Sequence, residues 1–317
     1  MEPSFADRAR LPVSALALGT AALGMAYGIH AGGDPAAGEP PPSEAEAVAL
    51  LRQAVESGIQ VIDTARAYGR SETLVGQAFR GRRETVFIAT KVHCLDASGA
   101  PLTGAALRRQ LDDSLRASLD ALQTDYLDLL MIHSAPPELL ERGEVYGLLA
   151  DLKARGIIRL TGASTYGTLA PRLAINGGLD VLQIAYNVLD RRLEAEILPL
   201  ARRQGVGVMA RSVYLKGALT ARGDDLPAHL DELRQRSRRF RAIAADYGVE
   251  PAAVALRFVL SQDTITTALI GVRTAAELQL ALAAAAQGRL PPDLLAALDD
   301  LRTDDVLLID PSRWGIP

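Results

Sequence analysis

Ile59-Gln60-Val61-Ile62-Asp63, Val86-Phe87-Ile88-Ala89-Thr90-Lys91 and Tyr126-Leu127-Asp128-Leu129-Leu130-Met131-Ile132-His133 are the stretches whose reading decides the fold. Each is a short apolar run closed by an ionisable side chain, with a helical pattern between one run and the next. Buried parallel strands read as continuous apolar runs, and strands alternating with helices select a parallel sheet over a sandwich or a bundle.

The same scheme extends outward in both directions. The first strand is predicted at 15–19. Ser43 with Glu46 three residues on forms a capping box at the start of the first helix, along which Val48, Leu51, Val55 and Ile59 recur at helical steps. Gly58 falls where a left-handed turn should end that helix. A helix at 71–80 precedes the strand at 86–90, and Leu107, Leu111, Leu115, Leu119 and Leu122 stripe the helix before the strand at 126–132. In the second half, strands are predicted at 158–162, 181–185, 206–210 and 265–270. Helices are expected to end at Gly156, to run over 168–176 and 191–204, and to begin at Thr274. Eight units predict an α/β fold, a (β/α)8 TIM barrel occupying 1–317 as one domain.

Composition narrows the class. With 49% hydrophobic residues the 317-residue chain has ample core material, and no linker divides it; 31–42 is the one markedly irregular stretch. A net charge of −4 argues against nucleic acid or an anionic membrane as partner. Arg236-Ser237-Arg238-Arg239-Phe240-Arg241 reads as a solvated helix face. No run reaches the ~18 apolar residues of a membrane span, and Met1 to Arg10 lacks the apolar core of a secretory signal. Cys94 is the only cysteine, so no intrachain disulfide can form, and a cytoplasmic location is expected. It reads as a small buried residue rather than a reactive thiol. His30, His93, His133 and His229 have no ligand-like spacing, and no metal is expected.

In an α/β barrel the C-terminal strand ends carry the chemistry. Asp63, Lys91 and His133 end strands, and Tyr68 follows Asp63 closely. A phenol has a pKa near ~10; a neighbouring ammonium lowers it, and a carboxylate holds that ammonium charged and aimed. The imidazole would share the proton or orient a carbonyl. Each residue alone is ordinary at a strand end, but together they compose a proton donor. Among 34 Lys and Arg only Lys91, Lys153 and Lys216 are lysines, so a Lys at position 91 is itself informative.

The words around these residues, from Gly58 through Asp63-Thr64-Ala65 and Tyr68-Gly69 to Ser71-Glu72, resemble the aldo-keto reductase signature. The likeness runs from Leu16-Ala17-Leu18-Gly19-Thr20 through Ala89-Thr90-Lys91, Gly162-Ala163-Ser164-Thr165, Gln183-Ile184-Ala185-Tyr186-Asn187 and Gly271-Val272-Arg273 to about Ala285. It implies a barrel that binds a nicotinamide cofactor without a Rossmann domain, with a hairpin plug at about Phe5 to Ser14. It also implies catalytic roles for Asp63, Tyr68, Lys91 and His133, with Tyr68 as general acid.

For the cofactor, the resemblance implies contacts from Gly19, Thr20 and Asp63, and carboxamide contacts from Ser164, Thr165 and Gln183. Thr165 replaces the usual Asn. Arg211 stands where many members stack an aromatic on the nicotinamide; it is expected either to stack there or to pair with an acid or phosphate. The loop Ser212, Val213, Tyr214, Leu215, Lys216 and Gly217 would lie under the pyrophosphate, and Ile270, Gly271, Val272, Arg273 and Glu277 would meet the adenosine end. Arg273 and Thr274 favour NADP(H) over NAD(H). Tyr27, His30, His93, Tyr214 and Trp314 are candidates for the substrate mouth.

The implied function is reduction of an aldehyde or ketone, the partner being a small carbonyl or sugar-like molecule and the chain a monomer or weak homo-oligomer. Alternatives are an aldose or alcohol dehydrogenase working in reverse, and a nicotinamide-binding regulatory subunit.

Overall fold

The computed structural model describes residues 13–30 and 37–316. Eight parallel strands close into a barrel in chain order. They are β1 (Leu16–Gly19), β2 (Val61–Asp63), β3 (Phe87–Val92), β4 (Leu127–Ile132), β5 (Ile158–Ser164), β6 (Val181–Ala185), β7 (Gly207–Arg211) and β8 (Thr267–Gly271). β8 pairs back onto β1, Gly271 beside Gly19, and this closes the ring. The predicted barrel is therefore present, each strand within two residues of its expected place. The hairpin plug expected at Phe5 to Ser14 lies outside the described residues except for its end. There, Val13 packs on the barrel interior and Ser14 Oγ accepts from Gln60 N and donates to Leu16 O.

The helices follow local chemistry. Ser43 caps Glu44–Glu56 with the reciprocal Glu46 bond that the sequence implied, and Gly58 takes φ +94° beyond its end. The helix expected at 191–204 is shorter, Ile197–Arg203. Asn187 Oδ1 accepts from the amides of Leu189 and Asp190, making a turn, and Arg191 donates to Val188 O, Leu298 O and Asp299. These bonds hold 187–191 out of the helix. Between β7 and β8 lie Asp231–Asp246, which carries the arginine run, and Pro251–Leu260, opened by a proline in its first turn. The arginines of the run pair with Asp224, Glu232 and Asp300 around them, as a solvated face should. Cys94 is fully buried, which pushes its thiol up to about 12.

Strand alternation decides what points into the barrel. Ala17, Val61, Phe87, Ala89, Leu129, Met131, Leu160, Val181, Met209 and Leu269 form the interior cluster, while Leu16, Leu18, Ile62, Ile88, Leu130 and Leu182 belong to the core beneath the helices. Two or four residues beyond the interior set, on the same face, stand Gly19, Asp63, Lys91, His133, Ser164, Gln183, Arg211 and Gly271. Register agrees: Gly19 pairs with Asp63, Lys91 with Met131, Ser164 with Gln183, and Gln183 with Met209. Each strand thus contributes one residue to the upper rim.

Candidate active site

Lys91 is the centre of the rim. Its ammonium is fully buried and donates to both carboxylate oxygens of Asp63, at 2.8 and 2.7 Å, and to Thr64 O at 2.9 Å. Gln183 Nε2 donates to the same carboxylate at 2.7 Å. Burial pulls the Lys91 pKa down and the Asp63 charge pulls it back up. Lys91 Nζ lies 4.8 Å from the Tyr68 ring centroid, and the His133 ring meets that ring edge-on at 5.6 Å. The four residues nominated from the sequence are therefore gathered in one place.

The sequence reading expected Lys91 to lower the Tyr68 pKa. The structure shows the opposite direction: burial raises it, Asp63 raises it further, and Arg211 lowers it only in part. Asp63 offsets the pull of the ammonium on the resting phenol, so desolvation decides. The phenol stands protonated. His133 is held down to about 2 by burial first and then by Lys91, His93 and Arg211, so its imidazole is neutral. Its Nδ1 is buried with no partner among the described residues. The exposed His93 ring stacks on it at 4.3 Å.

The mount of Tyr68 is built from small residues. A Cβ on Gly24 would lie 2.1 Å from Tyr68 O and 2.2 Å from Ser71 Oγ, and one on Gly69, at φ +58°, would lie 2.5 Å from Gly24 O. Only glycines let the turn after β1 press this closely on the Tyr68 loop. Ser71 Oγ donates to Thr20 O, and Glu72 Oε1 accepts from Thr90 Oγ1 while Oε2 accepts from Arg66. Sequence reading quoted Ser71 and Glu72 without giving them this bracing work, and it missed Gly24. A glycine at the end of a four-residue helix carries no periodic signal.

The nominated cofactor residues divide by location. Ser164 and Thr165, at the end of β5, sit beside Gln183 of β6, and Thr165 Oγ1 is buried with no partner among the described residues. Thr20 Oγ1 donates to Asp63 O, tying β1 to β2. Arg211 donates to Ser212 Oγ and Thr165 O and lies 4.2 Å over the Tyr166 ring, making no ion pair among the described residues. In the loop after β7, Ser212, Leu215, Lys216 and Gly217 all have positive φ, while the side chains of Val213 and Leu215 go into the core. Asn187 Nδ2 donates to Ser212 O and steadies that loop. Lys216 donates to Ile316 O at 2.6 Å, and burial pushes its pKa down to about 8.

At the end of β8, Ile270 and the following Val272 are buried and Gly271 is exposed. Thr274 caps Ala275–Ala286, and Glu277 accepts from Arg273 N at 2.7 Å. One arm of the Arg273 guanidinium bonds Tyr27 O, and its Nε is buried without a partner among the described residues. Arg222, which the sequence reading did not nominate, lies 3.5 Å from Glu39 and 3.6 Å from Glu277. Its neighbourhood is legible only in three dimensions, because it joins segments far apart in the sequence. Among the mouth candidates, Trp314 is buried and bonds Leu307 O, so it packs the C-terminal segment.

A second polar cluster lies at the opposite end of the barrel. Arg83 and Arg159 sandwich the Tyr126 ring at 4.1 and 4.2 Å, and both bind buried Asp128. It ties β4 to its neighbours. Among the described residues no helix is long and apolar enough to cross a membrane.

Comparison with known proteins agrees with the geometry. The pattern of the Aldo/keto reductase family matches residues 15–303. The aldo-keto reductase YhdN of Bacillus subtilis is 31% identical over 266 residues, covering 74% of this chain and 77% of that protein. Pyridoxal 4-dehydrogenase of Microbacterium luteolum is 31% identical over 315 residues, covering 84% and 88%. A solved aldo/keto reductase of Klebsiella pneumoniae, in complex with NADP and acetate, superposes with a TM-score of 0.70 at 26% identity, covering 95% of each chain. A closed barrel, a rim carrying an acid, phenol, amine and imidazole, and a match along nearly the whole sequence lead to one assignment: the chain belongs to the aldo/keto reductase family.

Proposed function

We propose that this oxidoreductase uses NADP(H) to reduce an aldehyde or ketone, with Tyr68 as the general acid. The single observation that carries the reading is the buried Lys91–Asp63–Gln183 cluster beside a protonated phenol. Tyr68 gives its proton to the substrate oxygen. The Lys91 ammonium, 4.8 Å from the ring, offsets the negative charge that develops there. Asp63 and Thr64 O keep the ammonium charged and aimed, and neutral His133 orients the carbonyl. The bound cofactor supplies the hydride.

The residues present fit that cofactor. Thr165 offers an unpartnered buried hydroxyl beside Ser164, and Lys216, Arg222 and Arg273 stand as cations around the loops after β7 and β8. Arg222 and Arg273 beside the capped N-terminus of Ala275–Ala286 support NADP(H) over NAD(H). The Klebsiella relative was solved with NADP. The likeness to pyridoxal 4-dehydrogenase favours a second reading, alcohol oxidation at the same site; the cofactor ratio then sets direction.

Tyr68→Phe tests the central claim. Reduction of a panel of aldehydes should fall 10²–10⁴-fold, the usual loss for a positioned acid, while NADPH still binds. Turnover at the wild-type rate would remove Tyr68 from the role.

A further inference from the structure

The charges where the loops after β7 and β8 meet come as two pairs. Arg222 lies 3.5 Å from the Glu39 carboxylate and 3.6 Å from that of Glu277. Arg273 stands in the same field: Arg222 opposes its charge, while Glu277 and Glu39 support it. Its backbone amide donates to Glu277 at 2.7 Å, and its guanidinium bonds Tyr27 O. Tyr27 in turn donates its amide to Glu39 O at 3.0 Å, which brings Glu39 to the two arginines. Two cations thus face two anions before any cofactor arrives.

The two carboxylates are held differently. Glu277 sits in the first turn of Ala275–Ala286, its amide bonded to Thr274 Oγ1 and one carboxylate oxygen to Arg273 N. It belongs to the helix start whether or not Arg222 is near. Glu39 comes from the segment between β1 and the first long helix, on an isolated bridge with Tyr27. Both contacts of Arg222 are longer than the ~2.7–3.2 Å of a settled N–H···O bond. The guanidinium is therefore shared among Glu39, Glu277 and Ile29 O, and closed on none of them. All three side chains are half-buried, so salt screens their charges less than it would on the open surface.

NAD(H) and NADP(H) differ at one atom of the adenosine ribose. The first presents a neutral hydroxyl there, the second a phosphomonoester carrying about −1.5 to −2 charges. A hydroxyl can donate to a carboxylate. A phosphate is repelled by that carboxylate and has to take the guanidinium from it.

We propose that Glu39 is a specificity-determining residue for the cofactor: it competes with the 2′-phosphate for Arg222 and so narrows the preference for NADP(H) over NAD(H). The proposal deepens the NADP(H) reading of the site and rests on it.

Fluorescence titration of NADPH and NADH against wild type and Glu39→Gln tests the competition. The amide keeps the shape and removes the charge. The Kd for NADPH should fall about five- to tenfold while that for NADH changes less than about twofold. Glu39→Asp, which keeps the charge on a shorter arm, should give a smaller gain. In an Arg222→Met background, Glu39→Gln should leave the ratio of the two constants unchanged, because the cation that both anions seek is gone. A fault in folding lowers the amount of binding protein and leaves the ratio alone. A ratio that Glu39→Gln does not move, or moves equally with and without Arg222, overturns the proposal.

Calorimetric titration with adenosine 2′,5′-bisphosphate and 5′-AMP separates the proposal from the reading beneath it. Wild type that binds the two equally has no NADP(H) preference, yet a bisphosphate that alone binds tighter in Glu39→Gln keeps Glu39 as the competitor. A bisphosphate favoured in wild type and unchanged in Glu39→Gln keeps the NADP(H) reading and removes Glu39 from the role.

Discussion

Lys91 and His133 show how far burial governs single residues here. Lys91 and Asp63 are both buried, so bulk solvent does not reach either charge. Truncating one side of a buried pair costs about 3–5 kcal/mol because the other charge remains. Lys91→Met should accordingly destabilise the protein by that order, whereas the double variant Lys91→Met with Asp63→Asn should recover much of the loss; urea titrations of the three proteins read the difference. If the single and double variants unfold alike, the pair is not the stabilising unit.

His133 gives a pH prediction at the same scale. Its folded pKa is near 2, far below the usual imidazole value, so it should stay neutral and show no NMR titration between about pH 4 and 8. The sign for stability follows. Below its ordinary pKa the unfolded imidazole takes up a proton that the folded one refuses, so this residue lowers stability as pH falls from about 6.5 toward 2. His133→Gln should flatten that part of a stability–pH curve.

At the scale of elements, the strands were legible because their apolar runs are continuous and three of them lead into Asp63, Lys91 or His133. The inward or outward face of Asp63, Lys91, Gln183 and Arg211 also follows from counting by twos. Loops were less legible. The hydroxyl of Thr20 bonds the Asp63 carbonyl, and a hydroxyl next to a strand end gives no sign in the sequence of which way it turns. Arg222, Asn187 and Gly24 act across gaps in sequence that no local pattern spans. Gly24 yields the sharpest element-level prediction. Its missing Cβ would sit 2.1 Å from a backbone oxygen that cannot swing aside. Gly24→Ala should cost about 1–3 kcal/mol by overpacking. It should also lower kcat by displacing Tyr68, and thermal melts with steady-state rates would show both. An unaffected kcat would mean that the turn after β1 does not set the phenol's position.

Over the whole molecule, cofactor binding should appear as stability. A ligand at about 100 times its Kd adds roughly 2.7 kcal/mol, so NADPH should raise the melting temperature by several degrees. With Arg222 and Arg273 at the helix that Thr274 caps, NADPH should stabilise the protein more than NADH at equal concentration. Arg273→Ala should remove most of that difference; if it lowers both effects equally, Arg273 serves the shared part of the two cofactors or the loop alone.

The C-terminal segment has an optical consequence. Trp314 is the only tryptophan in the chain. Its backbone oxygen lies 3.2 Å from His229 Nε2, and two residues later Ile316 O holds the Lys216 ammonium, on the loop after β7. Indole emits in the band where reduced nicotinamide absorbs. Every photon of tryptophan emission therefore leaves from one known place beside the proposed phosphate loop, and energy transfer from that indole should report occupancy and tail docking in a single trace, with no dye attached.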